Sequence, residues 1–266
     1  MDAIPSSFFE WVVFLLEEYG SLFLRGTGIT LAVAITGTCI GFLIGLLVAI
    51  LRTIPTTKNT PPILVGLVKF MRFVLGAYIE IFRGTPMIVQ AMVIYYGSMQ
   101  AKIIGRTTPL IVVAIIIVSI NTGAYMAEII RGGIISVDKG QKEAARAIGM
   151  SHWQSMVDVV LPQAVRNIMP SIGNEFVVNI KDSSVLNVIA VNELFFTAKS
   201  AAGTYLRYFE VFFIVACIYF VLTFTVTRIL RFVEKKMDGT QSYTICGSQS
   251  DSNATVTGSD KEEDLP

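Results

Sequence analysis

Three apolar runs constrain this chain more than any other feature: Thr27–Leu51, Thr108–Ala127 and Val211–Thr227, each free of charge, the last extending back past Glu210 to Tyr208. About 20 mainly apolar residues suffice for a helix to cross the hydrocarbon core of a bilayer. In that core each backbone N–H and C=O must find a partner within the segment, so these runs are read as helices. Composition agrees: 53% of the 266 residues are hydrophobic, 15% are charged, and the mean hydropathy is +0.63. Soluble domains carry about a quarter charged residues, so the chain is an integral membrane protein of the all-α class. Its net charge of +1 points to no charged partner, nucleic acid included. Cys39 and Cys217 fall inside apolar runs and Cys246 in a polar tail, while His152 is the only histidine. That distribution argues against a disulfide framework, a bound metal and proton-relay chemistry.

Two further spans are less apolar, which brings the expected number of transmembrane helices to about five. One runs from Gly76 to Met99, with Arg83, Gly84 and Pro86 interrupting its first part. The other, Asn167 to Phe195, carries Asn174, Glu175, Asn179, Lys181, Asp182, Asn187, Asn192 and Glu193. A helix this polar avoids lipid and lines a cavity instead. Ahead of the first span, residues 4–25 alternate Phe8, Phe9, Trp11, Val12, Leu15 and Leu16 with Glu10, Glu17 and Glu18. This pattern predicts a short amphipathic helix at the membrane interface. Asp2 and Glu10, with no basic stretch before the apolar run, argue against a cleavable signal peptide. The expected organisation is an extracytoplasmic or interfacial segment 1–26, a transmembrane domain 27–236, and a disordered polar tail 237–266 rich in Ser, Thr, Gly, Asp and Asn.

Lys and Arg orient the bundle, because cytoplasmic loops are enriched in them. Segment 52–72 holds Arg52, Lys58, Lys69 and Arg72 without an acid. Segment 131–181 contributes Arg131, Lys139, Lys142, Arg146, Arg166 and Lys181, and Arg228, Arg231, Lys235 and Lys236 follow the last span. The alternate loops are poorer, with Arg25 among four acids, then Lys102 and Arg106, then Lys199 and Arg207. The N-terminus is therefore expected outside and the C-terminus in the cytoplasm.

On the cytoplasmic side, residues 138–165 have the punctuation of two short helices. Asp138 with Gln141 can cap the first, Gly149 breaks it, Ser151 with Gln154 caps the second, and Leu161-Pro162 closes the unit. Ala144 and Ala145 on the first helix offer a small knob, with Glu143 and Arg146 one turn apart beside it. Such a knob suits a socket on another protein; the plainer alternative is an ordinary amphipathic helical hairpin.

Other clusters carry chemistry within the spans. Glu80-Ile81-Phe82-Arg83-Gly84-Thr85-Pro86 predicts a break at membrane depth whose freed polar groups face protein or water. Arg83 there either borders a path or snorkels to the interface with Glu80 as its partner. Asn121, Tyr125 and Glu128 share a helical face in which packing is the expected role of Asn121. Glu175, Asn179 and Asp182, four and then three residues apart, share another face. Carboxylates in a membrane need a cation, here a substrate ammonium or guanidinium, or an Arg or Lys of another helix. Gly37, Gly41 and Gly45 favour close helix packing.

The 138–165 loop resembles the coupling loop of permease subunits of ABC importers, with Val159 where that family has Ile two residues before Leu-Pro. The Glu80–Pro86 stretch with Tyr95-Tyr96-Gly97, the run Asn121–Arg131, and Asn174-Glu175-Phe176 through Lys181-Asp182-Ser183-Ser184 occur in the order seen in polar-amino-acid ABC importer permeases. The likeness covers roughly residues 20–236, and the long polar tail departs from it.

The resemblance implies a type I importer fold in which this chain and a second permease, a copy or a related chain, enclose the path. It implies an ABC ATPase dimer below, carrying ATP and Mg, and an extracytoplasmic amino-acid-binding protein above, in the inner membrane of a prokaryotic cell. The chain has no phosphate-binding loop of its own, binds no cofactor itself and is not an enzyme. Glu143 is implied as the helix-anchoring acid, Ala144 and Ala145 as the socket contact, Gly149 as the bend, and Leu161 and Pro162 as the end of the coupling unit. Glu175, Asn179 and Asp182 would hold the substrate, and Glu80, Arg83, Thr85 and Asn121 would border the path. The alternatives are an ion-coupled carrier or channel without an ATPase, and an ABC permease for another small cationic solute. The absence of an internal repeat weakens the carrier.

Overall fold

The computed structural model describes residues 5–54, 56, 61–105, 107–238, 244–245 and 256–257. Helix α1 (Phe8–Thr53) is 46 residues long and begins with a capping box. The Glu10 amide donates to Ser7 Oγ at 3.3 Å, and the Ser7 amide returns the bond to the Glu10 carboxylate at 3.2 Å. Helicity continues through residues 26 and 27, so the amphipathic segment and the first span are one rod rather than two pieces. At 1.5 Å per residue the rod is about 69 Å long. The reason is packing: Trp11, Leu15 and Phe23 are buried in a cluster with Leu194, Ala198, Ala202, Val211 and Val215. Tertiary contact therefore carries the helix past glycines that would weaken it in isolation.

Helix α2 (Pro62–Gly84) and helix α3 (Met87–Gln100) are separated where Gly84 and Pro86 predicted. The helix starts fourteen residues before the expected Gly76, however, and takes in Lys69 and Arg72, which the charge pattern had assigned to a loop. Pro61 and Pro62 start it, as proline suits a first turn, and the apolar run from Ile63 to Val68 sustains it. Helix α4 (Leu110–Ser136) follows. Helix α5 (Lys139–Ala147) and the single turn α6 (His152–Gln154) form the hairpin, and a π-helical turn, Ser155–Val160, joins α6 to α7 (Leu161–Asp182).

The fifth span is not one helix to Phe195. After Asp182 the chain tightens into a 3-10 turn, Ser183–Ile189, then passes through left-handed Ala190 (φ 61°) into α8 (Leu194–Tyr205). Side chains compete for the backbone at this point: Ser183 Oγ donates to the Ile180 carbonyl at 2.9 Å, and Asn187 Nδ2 to that of Ser184 at 2.6 Å. The two parts are bent by 54°. Helix α9 (Tyr208–Asp238) completes the bundle. Thus, among the described residues, α1, α2, α4 and α9 are each long and apolar enough to cross a membrane, and the bent α7–α8 pair brings the number to five when taken as one span. The tail expected from 237 to 266 lies largely outside the described residues, as do Lys58, Arg106 and Cys246. Within it, Thr244–Ile245 and Val256–Thr257 form a two-residue antiparallel ladder.

The centre of the bundle is the α1–α4 seam. Gly37, Gly41 and Gly45 lie against Val118, Thr122 and Met126 of α4. A Cβ on Gly41 would fall 2.7 Å from Thr122 Cβ, and one on Gly45 would fall 2.7 Å from the Ala127 backbone nitrogen. Backbone meets backbone here because the side chains are absent, the arrangement that small residues four apart permit.

Candidate functional site

Three groups of residues build the site, beginning with the hairpin. Asp138 Oδ1 accepts from the Gly140 amide at 2.6 Å and so caps α5, while Gln141, the expected second half of a box, instead faces Gln163 of α7 at 3.4 Å. At the far end Gly149 has φ +86°. Its amide donates to the Arg146 carbonyl at 3.0 Å and the Met150 amide to that of Ala145 at 3.1 Å, the paired bonds of a Schellman stop. Ser151 and Gln154 form the predicted box, with bonds of 2.9 and 3.2 Å.

The Ala144–Ala145 pair does not project as one knob. Ala145 is 4% exposed and folds inward within the hairpin, while Glu143, Ala144 and Arg146 face out. The inward face of α5 closes against the π turn, and Ala145 is its buried residue. The outward apolar surface comes from two residues that sequence reasoning passed over, Ile148 at 80% and Trp153 at 74% exposure. The available signal was two large apolar residues bracketing a glycine stop in a polar loop. Leu161 is exposed, and Pro162 occupies the first turn of α7.

The second group seals the α2–α3 break. Thr85 caps its own helix, donating from Oγ1 to the Ile81 carbonyl at 2.7 Å. Gln90 Nε2 lies 2.8 Å from the carbonyls of Phe82 and Thr85 and from Thr85 Oγ1, and Gln90 Oε1 accepts from Asn121 Nδ2 at 2.7 Å. Asn121 therefore braces the break from α4 through Gln90, a residue absent from the predicted set. Glu80 is exposed and forms no ion pair with Arg83. Arg83 turns to α4 instead, with its Nη1 4.0 Å from Glu128 Oε2 and its guanidinium 5.6 Å from the centre of the Tyr125 ring. Glu128 is the hub: Arg52 reaches it at 3.0 Å and Arg131 at 2.7 Å.

The third group is on α7. Glu175 and Asn179 are buried and Asp182 is half-buried. Asn179 is fully engaged in packing: its Oδ1 accepts from Thr122 Oγ1 at 3.1 Å and its Nδ2 donates to Thr38 Oγ1 at 2.8 Å. That amide stitches α1, α4 and α7 together. Glu175 and Asp182 form no ion pair among the described residues. Asp182 and Arg83 lie within electrostatic range of Glu175, while the acid that Arg83 approaches is Glu128. Buried Glu193, another residue not singled out from sequence, caps α8 through the Phe195 and Phe196 amides at 2.8 and 2.7 Å and accepts from Tyr219 Oη at 3.2 Å.

Residues 62–239 match the family described as the binding-protein-dependent transport system inner membrane component. The chain is 35% identical over 216 residues to the glutamine transport system permease protein GlnP of Escherichia coli (strain K12), covering 81% of this chain and 93% of that one. It is 33% identical over 214 residues to the arginine transport system permease protein ArtQ of Bacillus subtilis (strain 168), covering 80% and 91%. A solved crystal structure of an amino acid ABC transporter with histidines superposes with a TM-score of 0.74 at 37% identity, covering 88% of this chain and 100% of that one. The MetNI methionine ABC transporter in an inward-facing conformation shares the fold, with a TM-score of 0.67 at 22% identity. The ion-coupled carrier is thereby set aside: the chain belongs to the family of inner-membrane components of binding-protein-dependent transport systems and is a permease subunit of an ABC importer.

Proposed function

We propose that this permease carries a polar amino acid across the cell membrane, and that the acids of α7 hold the substrate's positive group. The observation that carries the proposal is buried Glu175, which forms no ion pair among the described residues, shares a face of α7 with Asp182 and has Arg83 within electrostatic range. An amino acid is a zwitterion, and a site for it needs both signs: a carboxylate for the ammonium and a guanidinium for the carboxylate. Among the described residues neither acid has an ion-pair partner, as a site awaiting a cation should be. The similarity to a structure of an amino acid ABC transporter supports the same substrate class. Asn179 then acts by positioning α7 and does not touch substrate.

Energy enters through the hairpin. Its exposed surface of Ala144, Ile148 and Trp153 suits a groove on a separate ATPase dimer that binds ATP and Mg. The basic last turns of α1 and α9 support a cytoplasmic hairpin and C-terminus, with the N-terminus outside. A second permease, copy or relative, encloses the path, and an extracytoplasmic binding protein delivers substrate. ATP and the loaded binding protein each shift the bundle between two states by their differential affinity.

The test is uptake by proteoliposomes holding the full assembly. Asp182→Asn removes the charge and keeps the shape; apparent affinity for the amino acid falls about tenfold, equivalent to one lost charge-assisted bond. Unchanged affinity refutes the substrate role. Ala144→Arg places a bulky charge on the outward face of α5 without disturbing Ala145, and it releases the ATPase on copurification. Retention of the ATPase refutes the docking surface while leaving the substrate site untouched.

A further inference from the structure

A basic crevice lies where α1 ends and α2 passes it. Arg52, Arg72 and Arg131 line it with Ala49, Thr53 and Ala127, around a volume of about 190 Å3. Its charges are poorly balanced. Glu128 already receives Arg52 and Arg131 and has Arg83 at 4.0 Å, and no Asp or Glu occurs anywhere between residues 49 and 72. Arg72 donates from Nη2 to the Ile54 carbonyl, but its Nε is buried with no acceptor among the described residues. A buried cationic donor without an acceptor is costly and calls for an anion.

The chemistry of the ligand follows from the donors. Guanidinium forks match the oxygens of a phosphate better than a simple halide. Next to the crevice, α2 exposes Leu67, Phe70, Phe73 and Val74. A soluble anion has no use for that apolar face, whereas acyl chains do. We propose that this crevice binds the phosphate of an anionic phospholipid, whose chains run along the exposed side of α2. The proposal needs only the membrane assignment and is independent of the transported solute. Bound lipid would tie α2 to the α1–α4 pair at the point where α2 otherwise has little apolar cover.

The test uses the full chain, purified in mild nonionic detergent and titrated with short-chain phosphatidylglycerol, short-chain phosphatidylcholine or inorganic phosphate. Native mass spectrometry reads the occupancy. Phosphatidylglycerol binds in preference to phosphatidylcholine, and Arg72→Gln weakens it about fivefold, the effect of one basic residue near an anionic headgroup. Thr53→Glu, at an exposed position that belongs to none of the Glu128 pairs, weakens it at least as much. Equal retention of the two lipids overturns the proposal, as does unchanged phosphatidylglycerol binding in both variants. Displacement of phosphatidylglycerol by equimolar inorganic phosphate overturns the lipid assignment and gives the crevice to a soluble anion.

Discussion

Replacing Gln90 with leucine keeps the side chain's bulk and removes all of its hydrogen bonding. Three contacts from Nε2 at 2.8 Å are lost, together with the 2.7 Å bond that Oε1 accepts from Asn121. Not every partner is stranded. Thr85 Oγ1 still reaches the Ile81 carbonyl, and the Phe82 carbonyl keeps a long 3.5 Å approach from Asn121. The Thr85 carbonyl and the Asn121 amide lose their best partners, and the Asn121 side chain is buried. At about 1 kcal/mol for each such group, the low end of the usual range, Gln90→Leu costs about 2 kcal/mol. Asn121→Leu strands mainly Gln90 Oε1 and costs about 1 kcal/mol.

The two changes share one bond, so the double variant should cost less than the sum by about 0.6 kcal/mol, the mean for hydrogen bonds between membrane helices, and by at most about 1.7 kcal/mol. Gln90→Glu supplies the control: it has the same shape, has no N–H to donate, and turns a carboxylate toward carbonyls, so it is worse than leucine. Unfolding of the full chain in mixed micelles, followed against added denaturing detergent, measures all four. Strict additivity, or a Gln90→Leu variant within about 0.5 kcal/mol of wild type, the usual scatter for neutral substitutions, would refute the bracing role.

Three other substitutions examine separate parts of the structure. Gly28→Ala, where nothing lies within 4 Å of the added methyl, should stabilise the chain by up to about 1 kcal/mol through helix propensity. In Gly45→Ala the methyl meets the α4 backbone at 2.7 Å, and an overpacking cost of about 1–3 kcal/mol should outweigh that gain; equal midpoint shifts in a thermal melt would contradict the seam. Gly149→Val forces a branched residue to φ +86° at about 1–2 kcal/mol. The Met150 amide, which donates to Ala145 in the Schellman stop, should then exchange with solvent about tenfold faster, and unchanged exchange would count against the strain.

What was legible in the sequence were features set by local chemistry. The Ser151–Gln154 box, the Gly149 stop, the Gly84–Pro86 break and the glycine seam each follow from one residue's backbone or hydrogen-bonding capacity. Features set by distant partners were not. The continuity of α1 depends on α8 and α9 covering Trp11 and Leu15. The inward turn of Ala145 depends on the hairpin closing on itself. Helical periodicity placed Glu175 and Asn179 on one face but could not divide their roles; Thr38 and Thr122, on two other helices, occupy the amide and leave the carboxylate. Gln90 escaped notice for a similar reason, since its acceptors are backbone atoms freed by the break.

The glycine seam has a mechanical consequence. Val118, Thr122 and Met126 are seated in notches on α1, and axial sliding or rolling would lift them over the neighbouring ridge against close-packed backbone. The two helices therefore form a twin-stem strut that carries displacement along its length without absorbing it. Compliance is left to the places where regular α-helical bonding lapses: Gly84–Pro86, Ser155–Val160 and Ser183–Ala190. The first lies next to Arg83, the second links the hairpin to α7, and the third begins one residue after Asp182. If the hairpin is the docking surface proposed above, a push on it would reach α7 through the Ser155–Val160 turn, and the joint after Asp182 is where that motion would first alter the spacing of the charged side chains.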